Sequence, residues 1–345
     1  DDVRGTVVLF EILSLLVLWL QAPAALRALS LVALLVDPDL LLQFTAGGVM
    51  DFLWVLPMLL AAIALYDGRL NRAALLYGFA AGIKQQPWLL APFLAIWLWH
   101  THRNEPVTAR LGVVANFGAV ALGGFAVLNL PFVIWDPADW LRGVLLPFHE
   151  QLVPFGAGIS LLTQAAIVDL PKSFYSAATF GIWSLLVLIY ALYFRTTRHL
   201  LWIAPALVMW FGYRGLQNYY IYWTPIILVA LFRWWEQERS GTADPVRVEG
   251  PLPARRGFWR LLPVPAATAA LATALVVIAI TGGRDEHLRV DMRVLSMHDQ
   301  WQIGATTRAT VELFNRGETE VRPRFAVAWL PYPYYWRVVS GPPIL

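Results

Sequence analysis

Long apolar runs separated by short polar breaks fill most of this 345-residue chain. Runs over residues 5–20, 28–42, 52–66, 111–134, 174–194, 200–213, 219–235 and 261–281 approach or exceed what a bilayer-crossing helix takes, about 20 predominantly apolar residues. Two shorter runs, 73–83 and 87–99, flank a polar apex and predict a helical hairpin, so the pattern predicts about ten crossings in all. A further apolar piece, 158–170, is too short and punctuated to span and predicts a re-entrant or interfacial segment. After Gly282-Gly283 the period changes to two over 309–315 and 321–329. The intervening turn Asn315-Arg-Gly-Glu318 predicts a β-hairpin there.

The predicted fold class is therefore an all-α polytopic membrane bundle followed by a truncated β-sandwich-like domain. A sandwich of the immunoglobulin type needs about seven strands, and the pattern offers about four. The expected domains are a multi-span body over 1–235, a Pro-, Gly- and charge-rich linker over 236–260, a last span over 261–281 and the β domain over 284–345. The chain opens on Asp1-Asp2 and stops at Leu345 inside the β pattern, which is read as a fragment cut at both ends.

Charge orients the spans. Arg69 with Arg72, Arg103 with Arg110, Arg195 with Arg198, and the six arginines from Arg233 to Arg260 fall in alternate breaks. The positive-inside rule makes those breaks cytoplasmic. The apex at Lys84, the long loop 135–172, the turn 214–218 and the β domain are then extracytoplasmic, at a plasma membrane. Composition agrees: 58% of residues are hydrophobic and 14% charged, against about 25% charged in soluble domains. Mean hydropathy is +0.57. Many of the 17 Trp lie near run ends, as in an interfacial aromatic belt. The net charge of +3 gives no case for a nucleic-acid partner, and the lack of Cys excludes disulfides and thiolate metal sites.

The polar residues on the expected outer face carry the candidate chemistry. Lys84 stands in Ala-Gly-Ile-Lys84-Gln-Gln-Pro87-Trp. An intramembrane cation is costly, about 2.5–3.5 kcal/mol at a helix centre, so it either snorkels or meets an anion such as a phosphate. Snorkelling is limited because a twelve-residue helix rises only about 18 Å. Gln85 and Gln86 add donors beside it, and Pro87 breaks the helix. Asp51 closes Gln43-Phe-Thr-Ala-Gly-Gly-Val-Met-Asp51. It is either a carboxylate near a helix N-terminus or a group that orients a sugar acceptor or a basic partner. Arg214 with Gln217, Asn218 and Tyr219 forms either an interfacial anchor or a phosphate- and sugar-binding turn. His149-Glu150, in the long loop, is a weaker substrate-binding or proton-transfer pair. His-Glu-x-x-His spacing is absent, so no metal-ligating residues are assigned, and a divalent metal stays open without support from the residues. Gly-x-Ser-x-Gly, the Walker A loop and Gly-x-Gly-x-x-Gly are absent too, which disfavours lipases, ATPases and nucleotide enzymes.

One block of motifs resembles a known family. Pro38 closes a span, Asp51 opens the next, Asp67-Gly-Arg-Leu-Asn-Arg72 makes a short basic turn, and Gly78-Phe-Ala-Ala-Gly-Ile-Lys84 precedes Pro87. This order, with the later Arg214–Tyr220 turn, resembles the GT-C membrane glycosyltransferases that use polyprenyl-phosphate sugars, including protein mannosyltransferase-like and mannosyl- or arabinosyltransferase-like branches. The match covers roughly residues 30–235. The resemblance implies an inverting transfer from a polyprenyl-phosphate-linked sugar to a glycan, lipid or protein acceptor, with no cofactor assigned. Lys84 and Arg214 would bind the donor phosphate. The family's catalytic carboxylate usually lies in a first outer loop, which this chain is expected to lack; the general base is then expected outside the chain, with Asp51 a secondary sugar- or cation-contacting residue and the one catalytic candidate within it. Two other readings stand beside it: a transporter or flippase for a lipid-linked glycan, and a non-catalytic assembly subunit.

Overall fold

In the computed structural model the described residues are 2–35, 45–46, 48, 50–149, 155–164, 167–168, 170–240, 263–281, 290–300, 305–316, 325–329 and 332–336. Most of them are helical. Among them four helices are long and apolar enough to cross a membrane: α1 (Arg4–Gln21), α6 (Val107–Trp135), α9 (Lys172–Leu192) and α14 (Pro263–Thr281). The chain is thus a membrane-embedded, predominantly helical protein. The remaining helical elements are α2 (Arg27–Leu35), α3 (Val55–Tyr66), α4 (Leu70–Ile83), α5 (Ala91–Thr101), α7 (Pro137–His149), α8 (Ser160–Gln164), α10 (Phe194–Thr197), α11 (Ala204–Trp210), α12 (Gln217–Ile221) and α13 (Thr224–Ser240).

Several predicted spans come out shorter or broken. The run 200–213 is a 3-10 turn, Arg198–Trp202, followed by the seven-residue α11, which rises only about 10 Å. Pro205, in the first turn of α11, explains the break, because it has no N–H for a bond to the preceding turn. The run 219–235 splits into α12 and α13. Conversely, α13 continues to Ser240, five residues into the expected linker. Glu236, Gln237 and Arg239 are good helix formers, and Gly241 follows. The apolar piece near 160 is the five-residue α8, too short to span as expected.

Turn chemistry sets the membrane hairpins. The α3–α4 turn is a Schellman closure: Arg69 N–H donates to Ala64 O at 2.8 Å and Gly68 N–H to Leu65 O at 3.1 Å. Gly68 takes the required positive φ of 72°. At the other end of α4 the backbone becomes extended at Lys84 (φ −144°, ψ 152°), and a 3-10 turn over Gln86–Leu90 leads into α5. Pro87 and Pro92 each occupy a first turn, where a missing N–H leaves no bond unmade.

The core is aromatic. Trp54 and Trp223 are fully buried, with ring centroids 4.9 Å apart, and Phe52 meets Tyr222 edge-on at 5.1 Å. Glycine lets α4 and α6 approach closely. A Cβ on Gly78 would collide with the Ala121 carbonyl, and one on Gly124 with the Leu75 carbonyl. This is the small-residue contact favoured between membrane helices, where lipid offers no hydrophobic drive to associate. Far from that contact in sequence, Arg233 ties α13 to two other elements: its Nη2 lies 2.9 Å from both Asp67 Oδ1 and Gln21 Oε1.

The C-terminal strands pair differently from the expectation. β3 (Val290–Gln300) and β4 (Ala305–Asn315) form one antiparallel ladder, from Val290↔Asn315 to Gln300↔Ala305. β5 (Phe325–Trp329) and β6 (Tyr332–Trp336) form another. The alternating segment 309–315 therefore pairs with the strand before it, not across the Asn315–Glu318 turn. Among the described residues these are separate two-stranded sheets, and no sandwich is formed.

Candidate functional site

Asp51 lies in the 3-10 turn Met50–Trp54. Phe52 and Trp54, which follow it, are fully buried and fix that turn in the core. Lys84 caps the C-terminal end of α4. The two meet: Lys84 Nζ lies 2.7 Å from Asp51 Oδ1, with both side chains a little over a quarter exposed. The anion that the membrane setting of Lys84 demands is thus a carboxylate of the same chain, and Asp51 is an ion-pair partner before anything else.

The Arg214 turn joins the same centre. Tyr219 feels the charges of both Asp51 and Arg214, and Tyr222 those of Asp51 and Glu11. Asn218, on the same turn, is 1% exposed. The turn is braced from outside by the long loop. β1 (Phe155–Gly156) and β2 (Arg214–Gly215) pair in parallel, and Ala157 N–H donates to Gly215 O at 2.8 Å. A Cβ on Gly156 would strike the Gly215 backbone, so only glycine fits that approach. Lys172 Nζ sits 5.9 Å above the Tyr213 ring on the same turn.

Several buried polar atoms here lack hydrogen-bond partners among the described residues, Asn218 Oδ1 and Tyr220 OH of the same turn included. Gln86 is 7% exposed and neither Nε2 nor Oε1 is hydrogen-bonded; Arg214 Nε is likewise unsatisfied. Each such atom costs about 1–3 kcal/mol when left bare, and a polar ligand would relieve them.

Glu11 is a member of this centre that the apolar-run reading passed over. It is 9% exposed on the inner face of α1 and accepts a 2.6 Å hydrogen bond from Thr45 Oγ1. A lone carboxylate inside the first apolar run was a legible signal, because intramembrane acids usually face the bundle interior.

Not every predicted site residue joins the centre. Gln85 turns toward α7, donating through Nε2 to Val144 O at 2.5 Å. Gln217 opens α12, on the Arg214 turn. His149 is the last residue of α7, and Glu150 lies outside the described residues. No group of three or more His, Asp or Glu stands together among the described residues to hold a metal ion.

On the other side of Lys84 opens a cleft of about 540 Å³, between the α4 apex, the C-terminal end of α6 and α7. Asn129 ties its walls together, donating through Nδ2 to Gly82 O at 3.0 Å and accepting from Trp140 Nε1 at 3.1 Å. At its rim Asp136 Oδ1 accepts the Asp139 N–H at 2.9 Å, capping α7. That bond, with further help from Ala138 and Arg142, holds the Asp136 carboxyl below the ordinary aspartate range.

Comparison with known protein families, curated proteins and solved structures gives no match to this chain. The functional reading therefore rests on its own residues.

Proposed function

We propose that this chain is a membrane glycosyltransferase that moves a sugar, with inversion, from a polyprenyl-phosphate donor to an extracytoplasmic glycan, lipid or protein acceptor. The observation that carries the reading is the partly buried Lys84–Asp51 ion pair, beside which Arg214 Nε is buried with no hydrogen-bond partner among the described residues. In the reaction the acceptor oxygen bonds to the anomeric carbon as the bond from that carbon to the phosphate oxygen breaks. The leaving phosphate takes the electron pair. Lys84 and Arg214 supply the cations it needs; at about 4 Å and an effective dielectric near 20 each pairing is worth about 4 kcal/mol of raw attraction. As the phosphate draws the ammonium away, Asp51 is freed to take the acceptor proton.

The test is transfer from a radiolabelled polyprenyl-phosphate sugar in membranes bearing the full chain. Lys84→Met is expected to lower transfer about 10²–10³-fold, as removal of an oxyanion-stabilising donor does. Arg214→Lys is expected to impair it too, because a point charge does not replace the planar fork. Absence of transfer by the native chain would end the proposal, and wild-type turnover in both variants would reduce the two cations to lipid anchors. A second reading, a lipid-linked glycan transporter, draws on the buried Glu11 in α1. It predicts movement of labelled lipid between leaflets without any new glycosidic bond.

A further inference from the structure

The cleft beside Lys84 differs chemically from the ion-pair centre behind it. One wall is a row of aromatic rings packed edge to face: Trp88 against Phe125 at 6.2 Å, and Phe125 against Trp140 at 6.4 Å. Both indole N–H groups are used internally, Trp88 Nε1 by Ala81 O at 2.8 Å and Trp140 Nε1 by Asn129 Oδ1 at 3.1 Å. What these two rings offer a ligand is therefore π surface, not hydrogen bonds. Trp135, also on the cleft, is 89% exposed. Belt tryptophans anchor singly at the headgroup level. Here three indoles converge with two carboxylates, Asp136 and Asp139, on one cavity.

Charge narrows the ligand. The ammonium of Lys84 is committed to Asp51 at 2.7 Å. The two aspartates are acceptors, with Asp139 already paired to Arg142 at 2.5 Å. A second anion gains little in such a cleft and is repelled by the carboxylates. A neutral polyhydroxylated ring suits it: hydroxyls donate to carboxylate oxygens, and the polarised C–H face of a pyranose lies on the negative face of an indole. The volume, about 540 Å³, is within the range of small-molecule sites.

We infer that this cleft binds a neutral saccharide and is the acceptor subsite, separated from the donor phosphate by the Lys84–Asp51 pair. Its role as acceptor subsite rests on the glycosyl-transfer reading; saccharide binding does not.

Saturation-transfer NMR tests it, using the full chain in lipid nanodiscs with maltotriose, cellotriose and mannotriose as probes and phosphocholine as the competing headgroup. At least one trisaccharide is expected to receive saturation through its ring C–H protons. Trp135→Ala should weaken that binding at least tenfold, and Trp135→Phe should restore part of it. Because Trp135 is exposed, neither change threatens the fold. No signal from any trisaccharide, an unchanged signal in Trp135→Ala, or saturation of phosphocholine alone overturns the inference. Saccharide binding by a native chain that transfers no sugar from a polyprenyl-phosphate donor would retain the cleft and discard the transferase reading. Absent binding with transfer abolished by Lys84→Met would do the reverse.

Discussion

Lys84 and Asp51, 33 positions apart, meet at 2.7 Å and make one charge-neutral unit at the turn out of α4. Each side chain explains the tolerance of the other in a membrane setting. Together they define which side of the α4–α5 apex is the ion-pair centre and which is the aromatic cleft.

That pairing predicts non-additivity. Asp51→Asn and Lys84→Met are each expected to lower the thermal stability of the detergent-solubilised protein, because each strands one partly buried charge. The double variant should recover most of the loss. A coupling energy of about 1 kcal/mol or more is expected from a double-mutant cycle read by thermal unfolding. Strictly additive losses would mean that the contact carries no energy.

The α4–α6 contact gives a matched comparison between neighbouring glycines. Gly124→Ala puts a methyl group into the Leu75 carbonyl, whereas Gly123→Ala meets nothing within 4 Å. The first should destabilise by about 1–3 kcal/mol, the usual range for forced overpacking. The second should be neutral or stabilise by up to about 1 kcal/mol, since alanine is the better helix former. Equal melting temperatures for the two variants would refute the close approach.

The cap of α7 is expected to respond to acid. The Asp136 carboxyl titrates below its ordinary value of 3.8, chiefly because the Asp139 amide donates to it. A carboxyl depressed in the folded state stabilises fully above the unfolded value and loses that contribution as pH falls through the folded one. The protection of the Asp139 and Trp140 amides, taken relative to their intrinsic exchange rates, should therefore fall only below about pH 3.8. Asp136→Asn should remove that step. Protection insensitive to pH in the native protein would show that the cap does not hold the helix.

Membrane sidedness is open to a direct check, since the chain has no native Cys to confuse it. The arginine clusters place Glu105 inside and the β3 strand outside. With an impermeant thiol reagent on whole cells, Met292→Cys should label and Glu105→Cys should not until the cells are permeabilised. Labelling at Glu105 in intact cells would invert the whole assignment.

The long spans were legible because each is a local property. About 20 apolar residues leave a backbone no choice but helix in lipid, and the runs 111–134 and 174–194 came out as α6 and α9 within four residues at each end. Glu11 was equally readable as a lone acid in an apolar run. The run 200–213 misled because hydropathy does not register how Pro205 and a 3-10 turn divide it. Strand alternation located segment 309–315 but was silent on its partner, since a period of two fits either neighbour, and the ladder chose β3. Asp51 and Lys84 were each singled out by residue type. Their contact was not legible, because it depends on how the buried Phe52 and Trp54 seat one turn against the end of another helix. The cleft has the same origin: its Trp, Asp and Asn residues come from α6, α7, their junction and the 3-10 turn before α5, and the glycine-mediated approach of α4 to α6 helps bring them to one wall.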